Sequence, residues 1–355
     1  MAELFIELFS EEIPAKLQLD ARKKIKEILE EKLRKKEIIY KLSQSFSTPK
    51  RLVFFMDKIP EKIEQKKKII KGPKVDAPQM ALDGFIKSNN LNKTDVYKKT
   101  IEKGEFYFAE TKPKIIDILK ELQSIIPETL QTYSWKKSMK WSTYDLSWAR
   151  PLKSIIALFN NKVINFNFFH LKSGNLTLID GANEEKVKKI SSFKTYLNIL
   201  KSQNIVLDQR KRESLVVNKM NSICNARKLK NIFDQKLLEE VVNLVERPNV
   251  ILCKFDEVYL KVPQEVLIVT MQQHQKYFPL FDASNKLTNL FLLVANLPDR
   301  KGYIKMGNQR VVEARLSDAK FFWEKNKNQS LVKQVGKLKN LSFFNQLGTF
   351  YNRTQ

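Results

Sequence analysis

Histidine and cysteine, the residues that most often mark a metal or nucleophile site, are nearly missing from this chain, which has 2 of each. Cys224 and Cys253 form no CxxC, which excludes a disulfide framework and a cysteine-rich zinc site. His170 and His274 make no paired metal motif, and 9 scattered glycines supply neither GxGxxG nor a P-loop. No apolar run comes near the roughly 18 residues that span a bilayer; the stretch 290–295 is among the longest, and the acidic start 2–12 lacks the basic flank of a signal peptide. These absences imply a reducing, cytoplasmic setting, no membrane partner, no metal and no catalytic residue set on the chain itself. Glu11 and Glu12 are adjacent acids, but neighbours on a strand point to opposite faces, so they read as a helix start or surface pair.

What the chain has in excess is positive charge. Against 39 Asp+Glu stand 64 Lys+Arg, a formal net charge of +25, a field that draws in polyanions, nucleic acid first. A composition rich in Lys, Ile and Asn also fits an AT-rich coding sequence. With 355 residues, 43% of them hydrophobic, there is material for two or three domains with their own cores.

Periodicity gives an α+β chain without internal repeats. Residues 3–8 alternate like a half-buried strand, and Pro14 opens a helix with Leu17, Ala21, Ile25, Ile28 and Leu33 on one side and a solvated basic face on the other. Strands follow at 42–47 and 51–57 around Thr48 and Pro49. The basic stretch 62–74 reads as an exposed loop. A helix fits 78–87, a hairpin 96–111 turning at Lys103 and Gly104, and a helix 115–130 with Pro113 near its start. Strands 152–159 and 163–169 flank Asn160 and Asn161, which tolerate positive φ. The pattern is helical from 184 to 245, broken around 204–207. It then gives a strand at 250–255, a helix from Pro263 with Val266, Leu267, Thr270 and Met271 on one side, and strands at 277–281 and 290–295. The last third is helical, with Val312, Leu316, Ala319 and Trp323 as one stripe and Leu331, Val335 and Leu338 as another. The corresponding domains are 1–135 (α+β), 136–183 (strand-rich), 184–247 (helical) and 248–355 (α+β, ending in helices).

Two segments carry polar chemistry. Lys136, Lys137, Lys140, Arg150 and Lys153 interleave with Trp135, Trp141, Tyr144 and Trp148, the mixture an RNA surface uses to hold phosphates and stack bases, though tryptophans so close together equally make a core. The stretch 270–279, TMQQHQKYFP, concentrates hydrogen-bonding side chains without a helical stripe, as a contact site for an RNA end or a partner would, or as an ordinary helix terminus would.

Several segments together resemble one family. ELFIELFSEEIPA, STPKRLVF, KGPKVDAP, KGEFYFAE, KSMKW, ARPLKSIIALF and SGNLT occur in that order, followed by LLEEVVNLVERP, FDEVYLKVPQEVLIVTMQQHQKYFPLFD, GNQRVVEARLSDAKFF and KLKNLSFFNQLGTFYNRT. They are similar in order and spacing, over essentially the whole chain, to the beta subunit of bacterial two-subunit glycyl-tRNA synthetase. The resemblance implies that glycine is activated on a separate alpha subunit, with ATP and magnesium used there, while the beta subunit grips tRNA(Gly) in an assembly of two alpha and two beta chains. It marks Lys50, Arg51, Lys137, Lys140, Arg150, His274, Lys276, Arg310 and Arg315 as candidates for tRNA or subunit contacts. The alternatives are a fragment that only docks on the alpha subunit, or a stand-alone RNA-binding protein. The chain departs from the family in two ways. Family members run to roughly twice this length, into HD-like and anticodon-binding domains, so anticodon recognition is expected to be absent. After SGNLT, Leu178, Ile179, Asp180 and Gly181 stand where the family has Gly, His, Arg and Phe.

Overall fold

The computed structural model describes residues 1–65, 69–89, 91–101, 104–110, 114–180, 185–232, 234–344 and 347–354. The architecture is α+β and comprises two compact units. One consists of Met1–Ser10, Ala21–Ser45 and Val53–Phe193, the other of Glu11–Asp20, Phe46–Leu52 and Lys194–Gln355. The division near residue 193 falls inside the stretch expected as a helical subdomain.

The first stretch of chain runs β1 (Ala2–Ser10), α1 (Ala15–Lys35), β2 (Leu42–Ser47), β3 (Arg51–Ile59), β4 (Lys62–Gln65), β5 (Ile69–Lys74), α2 (Gln79–Ser88), β6 (Val96–Ile101), β7 (Gly104–Glu110), β8 (Lys114–Asp117) and α3 (Ile118–Thr132). It continues through β9 (Leu152–Phe159), β10 (Lys162–Val163), β11 (Asn167–Phe168), β12 (Leu171–Lys172), β13 (Leu176–Asp180) and β14 (Glu185–Lys189). The main sheet has the order β10-β9-β1-β3-β2, so β9 of the strand-rich stretch lies beside the first strand, Ile6 opposite Ala157. Because β1 is central it is buried at nearly every position, Glu7 included, and the half-buried strand of the expectation is corrected. The β9–β10 turn uses Asn160 and Asn161 at φ of 47° and 63°, the conformation expected of them. Along α1 the buried positions are Ala15, Gln18, Ala21, Ile25, Leu29 and Leu33, with Leu29 in the stripe where Ile28 was expected and Leu17 half-buried. Lys32 of α1 lies 3.2 Å from Glu128 of α3, and Lys36, just past the end of α1, lies 3.0 Å from Glu121 of α3.

Three further expectations are corrected here. The supposed loop 62–74 holds the strands β4 and β5, with 66–68 outside the described residues; Ile63 faces Ile116 of β8, Ile70 faces Ala109 of β7, and the Lys71 ammonium lies 3.5 Å above the Phe106 ring. Lysines that alternate with isoleucines can lie on the open face of a strand, and turn residues alone do not reveal this. The helix expected from 115 starts at Ile118, because Lys114–Asp117 pairs with β4 and the Asp117 carboxylate caps Leu119 N–H at 3.0 Å. Residues 185–189, read as helical, are β14, paired with β13. Lys103, Pro113 and Gly181 lie outside the described residues.

The second unit is built on a four-stranded antiparallel sheet. After α4 (Phe193–Ser202) come α5 (Gln209–Ala226), β15 (Lys230–Asn231), α6 (Gln235–Val242), β16 (Asn249–Lys254), α7 (Gln264–Val269), β17 (Phe278–Phe281), β18 (Leu287–Ala295), α8 (Tyr303–Lys327), α9 (Leu331–Val335) and α10 (Phe350–Thr354). The sheet order is β15-β17-β18-β16. Strand alternation sends Val250, Phe278, Leu280 and Leu292 to one face, against α5 and α6. Cys253, Phe281, Phe291 and Leu293 go to the other, against Leu267, Met271, Val312 and Leu316. Of the expected α8 stripe, Val312 and Leu316 are buried, Ala319 is half-buried and Trp323 is exposed. Among the described residues no helix is long and apolar enough to cross a membrane.

Candidate nucleic-acid interface

The lysine- and tryptophan-rich stretch divides into a core part and a surface part. Trp135 and Trp148 are 8% and 1% exposed and meet edge to face at 5.0 Å, and Trp148 also meets Phe168 at 5.9 Å. A backbone bridge closes the loop between them: Met139 N–H donates to the Trp148 carbonyl at 2.8 Å, and Trp148 N–H to that of Met139 at 3.1 Å. The loop carries the surface part. Tyr144, 39% exposed, stacks on the exposed His170 with ring centroids 3.6 Å apart and planes within 8°, while Trp141 meets the same imidazole edge-on at 5.8 Å. His170 sits in the turn between β11 and β12, beside Phe169, which is 52% exposed at φ 52°.

Lys136, Lys137 and Lys140 in the loop segment and Lys172 in β12 are exposed on the same two pieces of chain. Lys140 stands 3.6 Å from Asp145 with both side chains open to solvent, a pair too weakly held to keep the ammonium from a phosphate. An aromatic stack with lysines around it can take an unpaired base against a ring and its phosphates against the ammonium groups. Arg150 is half-buried and donates to the Ala149 carbonyl at 2.8 Å. Pattern reading singled out Trp141 and Tyr144, but it did not pair them with His170; only the hairpin brings that ring back.

The other candidates lie in the second unit. Lys50 is half-buried. Arg51 is 1% exposed and ion-paired with Glu246, which also accepts from Thr48 Oγ1 at 2.5 Å; its side chain is an internal tie and offers no surface to a ligand. His274, Arg310 and Arg315 are exposed. The stretch 270–279 is a helix terminus of an uncommon kind: α7 passes into a π-helical turn at Thr270–His274, and Lys276 takes φ 59°. Met271 is buried, whereas Gln272, Gln273 and His274 turn outward in varying degree, and Lys276 Nζ lies 3.1 Å from Glu240. Single π-turns cluster at functional sites because they re-aim side chains without ending the helix. Tyr277 anchors the exit, its hydroxyl donating to Asn308 Oδ1 at 2.5 Å.

A family model described as the glycyl-tRNA synthetase beta subunit matches residues 4–355. The chain belongs to the glycyl-tRNA synthetase beta subunit family. It is 35% identical over 359 residues to the glycine–tRNA ligase beta subunit of Rickettsia felis, covering 100% of this chain and 54% of that protein. It is 36% identical over 352 residues to the Rickettsia typhi protein of the same name, covering 98% and 53%. The chain thus spans about half the length of these relatives. In this family member Leu178, Ile179 and Asp180 of the segment that departs from the pattern lie in β13, with Leu178 opposite Val187 and Ile179 buried.

Proposed function

We propose that this chain is the tRNA-holding part of a two-subunit glycyl-tRNA synthetase. It grips tRNA(Gly) and holds the acceptor end where an alpha subunit attaches glycine, in a cytoplasmic assembly of two alpha and two beta chains. ATP and magnesium are used on the alpha subunit, and this chain's contribution to rate is positional: a bound acceptor end makes transfer effectively intramolecular. The observation that carries the reading is the Tyr144–His170 stack, with exposed lysines on the same loop and hairpin, on a chain of net charge +25. The family membership supports the reaction.

The test is glycylation of tRNA by purified alpha subunit alone, with this chain, and with this chain plus a separately expressed C-terminal half of a relative. Restored glycylation in either mixture supports the reading. Glycyl-adenylate formation without transfer in both mixtures overturns it, and then salt-dependent tRNA binding separates a stand-alone RNA-binding protein from a docking module.

A further inference from the structure

In the first unit β5, β7 and β6 form a small antiparallel sheet in that order, and its two faces differ. Residues directly opposed in such a sheet share a face, and the register opposes Ile70, Ala109 and Val96 across the three strands. Ala109 is 0% exposed. Gly72, two residues after Ile70, lies so close to α2 that a Cβ there would come within 2.9 Å of the Phe85 ring, so this is the side that α2 covers. The other side carries rings among cations. Lys71, Phe108 and Tyr97 are opposed across it, and so are Lys74, Phe106 and Lys99. The contacts agree with the register. Lys71 Nζ lies 3.5 Å and Lys74 Nζ 6.0 Å from the Phe106 centroid, Lys99 Nζ lies 5.9 Å from that of Phe108, and Tyr97 stands beside Phe108 with centroids 6.2 Å apart and planes within 26°. All three lysines are exposed, Tyr97 is 39% exposed, and Phe106 and Phe108 are half-buried. Glu110, opposite Ile69, is the acid that shares this face.

Rings on a water-facing sheet leave apolar area unburied, and an ammonium over a ring at an exposed site is held weakly. A ligand that brings flat rings and negative charge together answers both, and an unpaired nucleotide has that make-up: its base stacks on a ring while its phosphate draws the ammonium away. An acidic peptide supplies the charge without the rings. A duplex keeps its bases stacked inside and offers phosphates alone. We infer that the open face of this sheet binds single-stranded RNA, with bases against Tyr97, Phe106 and Phe108 and phosphates on Lys71, Lys74 and Lys99. Phe106 and Phe108 are two residues apart on one strand, roughly 7 Å, a step that an extended nucleotide strand matches. The inference rests on the RNA-binding reading above and adds to it a second surface, one for an unpaired segment.

The test uses the full chain with tRNA(Gly), a labelled RNA single strand of about 12 nucleotides and the duplex of the same length. The single strand is expected to bind more tightly than the duplex, although the duplex carries twice the charge. Tyr97→Ala should weaken single-strand binding about tenfold and leave duplex binding unchanged, while Tyr97→Phe should bind as the parent does. Lys71→Gln/Lys74→Gln/Lys99→Gln should flatten the salt slope on the single strand by about two. These side chains are exposed, and thermal melts report whether each variant is folded. Tighter binding of the duplex, or equal binding of the single strand by parent and variants, overturns the sheet assignment and leaves the RNA reading standing on tRNA(Gly) binding. A lysine effect without a tyrosine effect reduces the face to a positive field and overturns the assignment as well. Binding of neither tRNA(Gly) nor the single strand overturns both readings.

Discussion

Arg51 and Glu246 are separated by 195 positions and meet in the interior of the second unit. Both lie in segments that resemble the family, and sequence reasoning placed Arg51 among surface contacts because a basic residue beside Lys50 carries no mark of its distant partner. Removing one member of a buried pair strands the other charge, which costs about 3–5 kcal/mol. Glu246→Ala is therefore expected to lower the urea midpoint by that equivalent, whereas Lys140→Ala, at an exposed site, should stay within about 0.5 kcal/mol of the parent. Arg212 is a second buried guanidinium, donating to the carbonyls of Val242, Val206, Leu207 and Ser47 at 2.7–3.1 Å; lysine cannot reproduce that fork. Tyr277 gives a pH signature. Burial pushes its hydroxyl up to about 12, above about 10 for an unfolded tyrosine. Between those values the native chain keeps a proton that the unfolded chain has released, so stability is whole below the window and falls as pH rises through it. Tyr277→Phe should make that alkaline decline shallower while costing about 1 kcal/mol at neutral pH through the lost bond to Asn308. Denaturant titrations at several pH values check both.

Elements whose two faces differ were legible from the sequence, and those decided by a distant edge were not. The hairpin at Asn160 and Asn161 was readable because a tight turn demands residues that accept positive φ, whatever surrounds it. The π-turn after α7 was not, since nothing in TMQQHQKYFP distinguishes a π-turn from an ordinary helix end. The strands β4 and β5 were lost because lysine runs look like loops until partner strands cover one side of them. The hairpin invites a direct test. Asn161→Gly should be neutral or slightly stabilising. Asn160→Val puts a β-branched side chain into the left-handed region and should cost about 1–2 kcal/mol, read as a lowered midpoint with the denaturant slope unchanged. At the end of α8 a different rule applies: Phe321 and Phe322 are more than half exposed, so replacing both by Ser should leave stability nearly unchanged while reducing dye binding to exposed apolar surface.

On the proposed function, the net charge of +25 and the aromatic stack make separable contributions to RNA binding by the whole molecule, and salt tells them apart. Each lysine that neutralises a phosphate releases counterions, so log K falls linearly with log salt, at about 0.9 per contact on duplex and about 0.7 on single strands. A stacked ring releases none. If the loop bearing Lys137, Lys140 and Tyr144 is the grip, Lys137→Ala/Lys140→Ala should weaken tRNA(Gly) binding and flatten the salt slope by about one to two. Tyr144→Ala should cost about 1–3 kcal/mol of affinity at an unchanged slope. A chain whose lysine excess only reflects coding composition predicts something else: the double variant shifts the slope no more than a control pair on the exposed basic face of α1, Lys23→Ala/Lys24→Ala, and Tyr144→Ala shifts nothing. Titrations of tRNA across a salt series with these variants decide between a localised grip and a diffuse positive field.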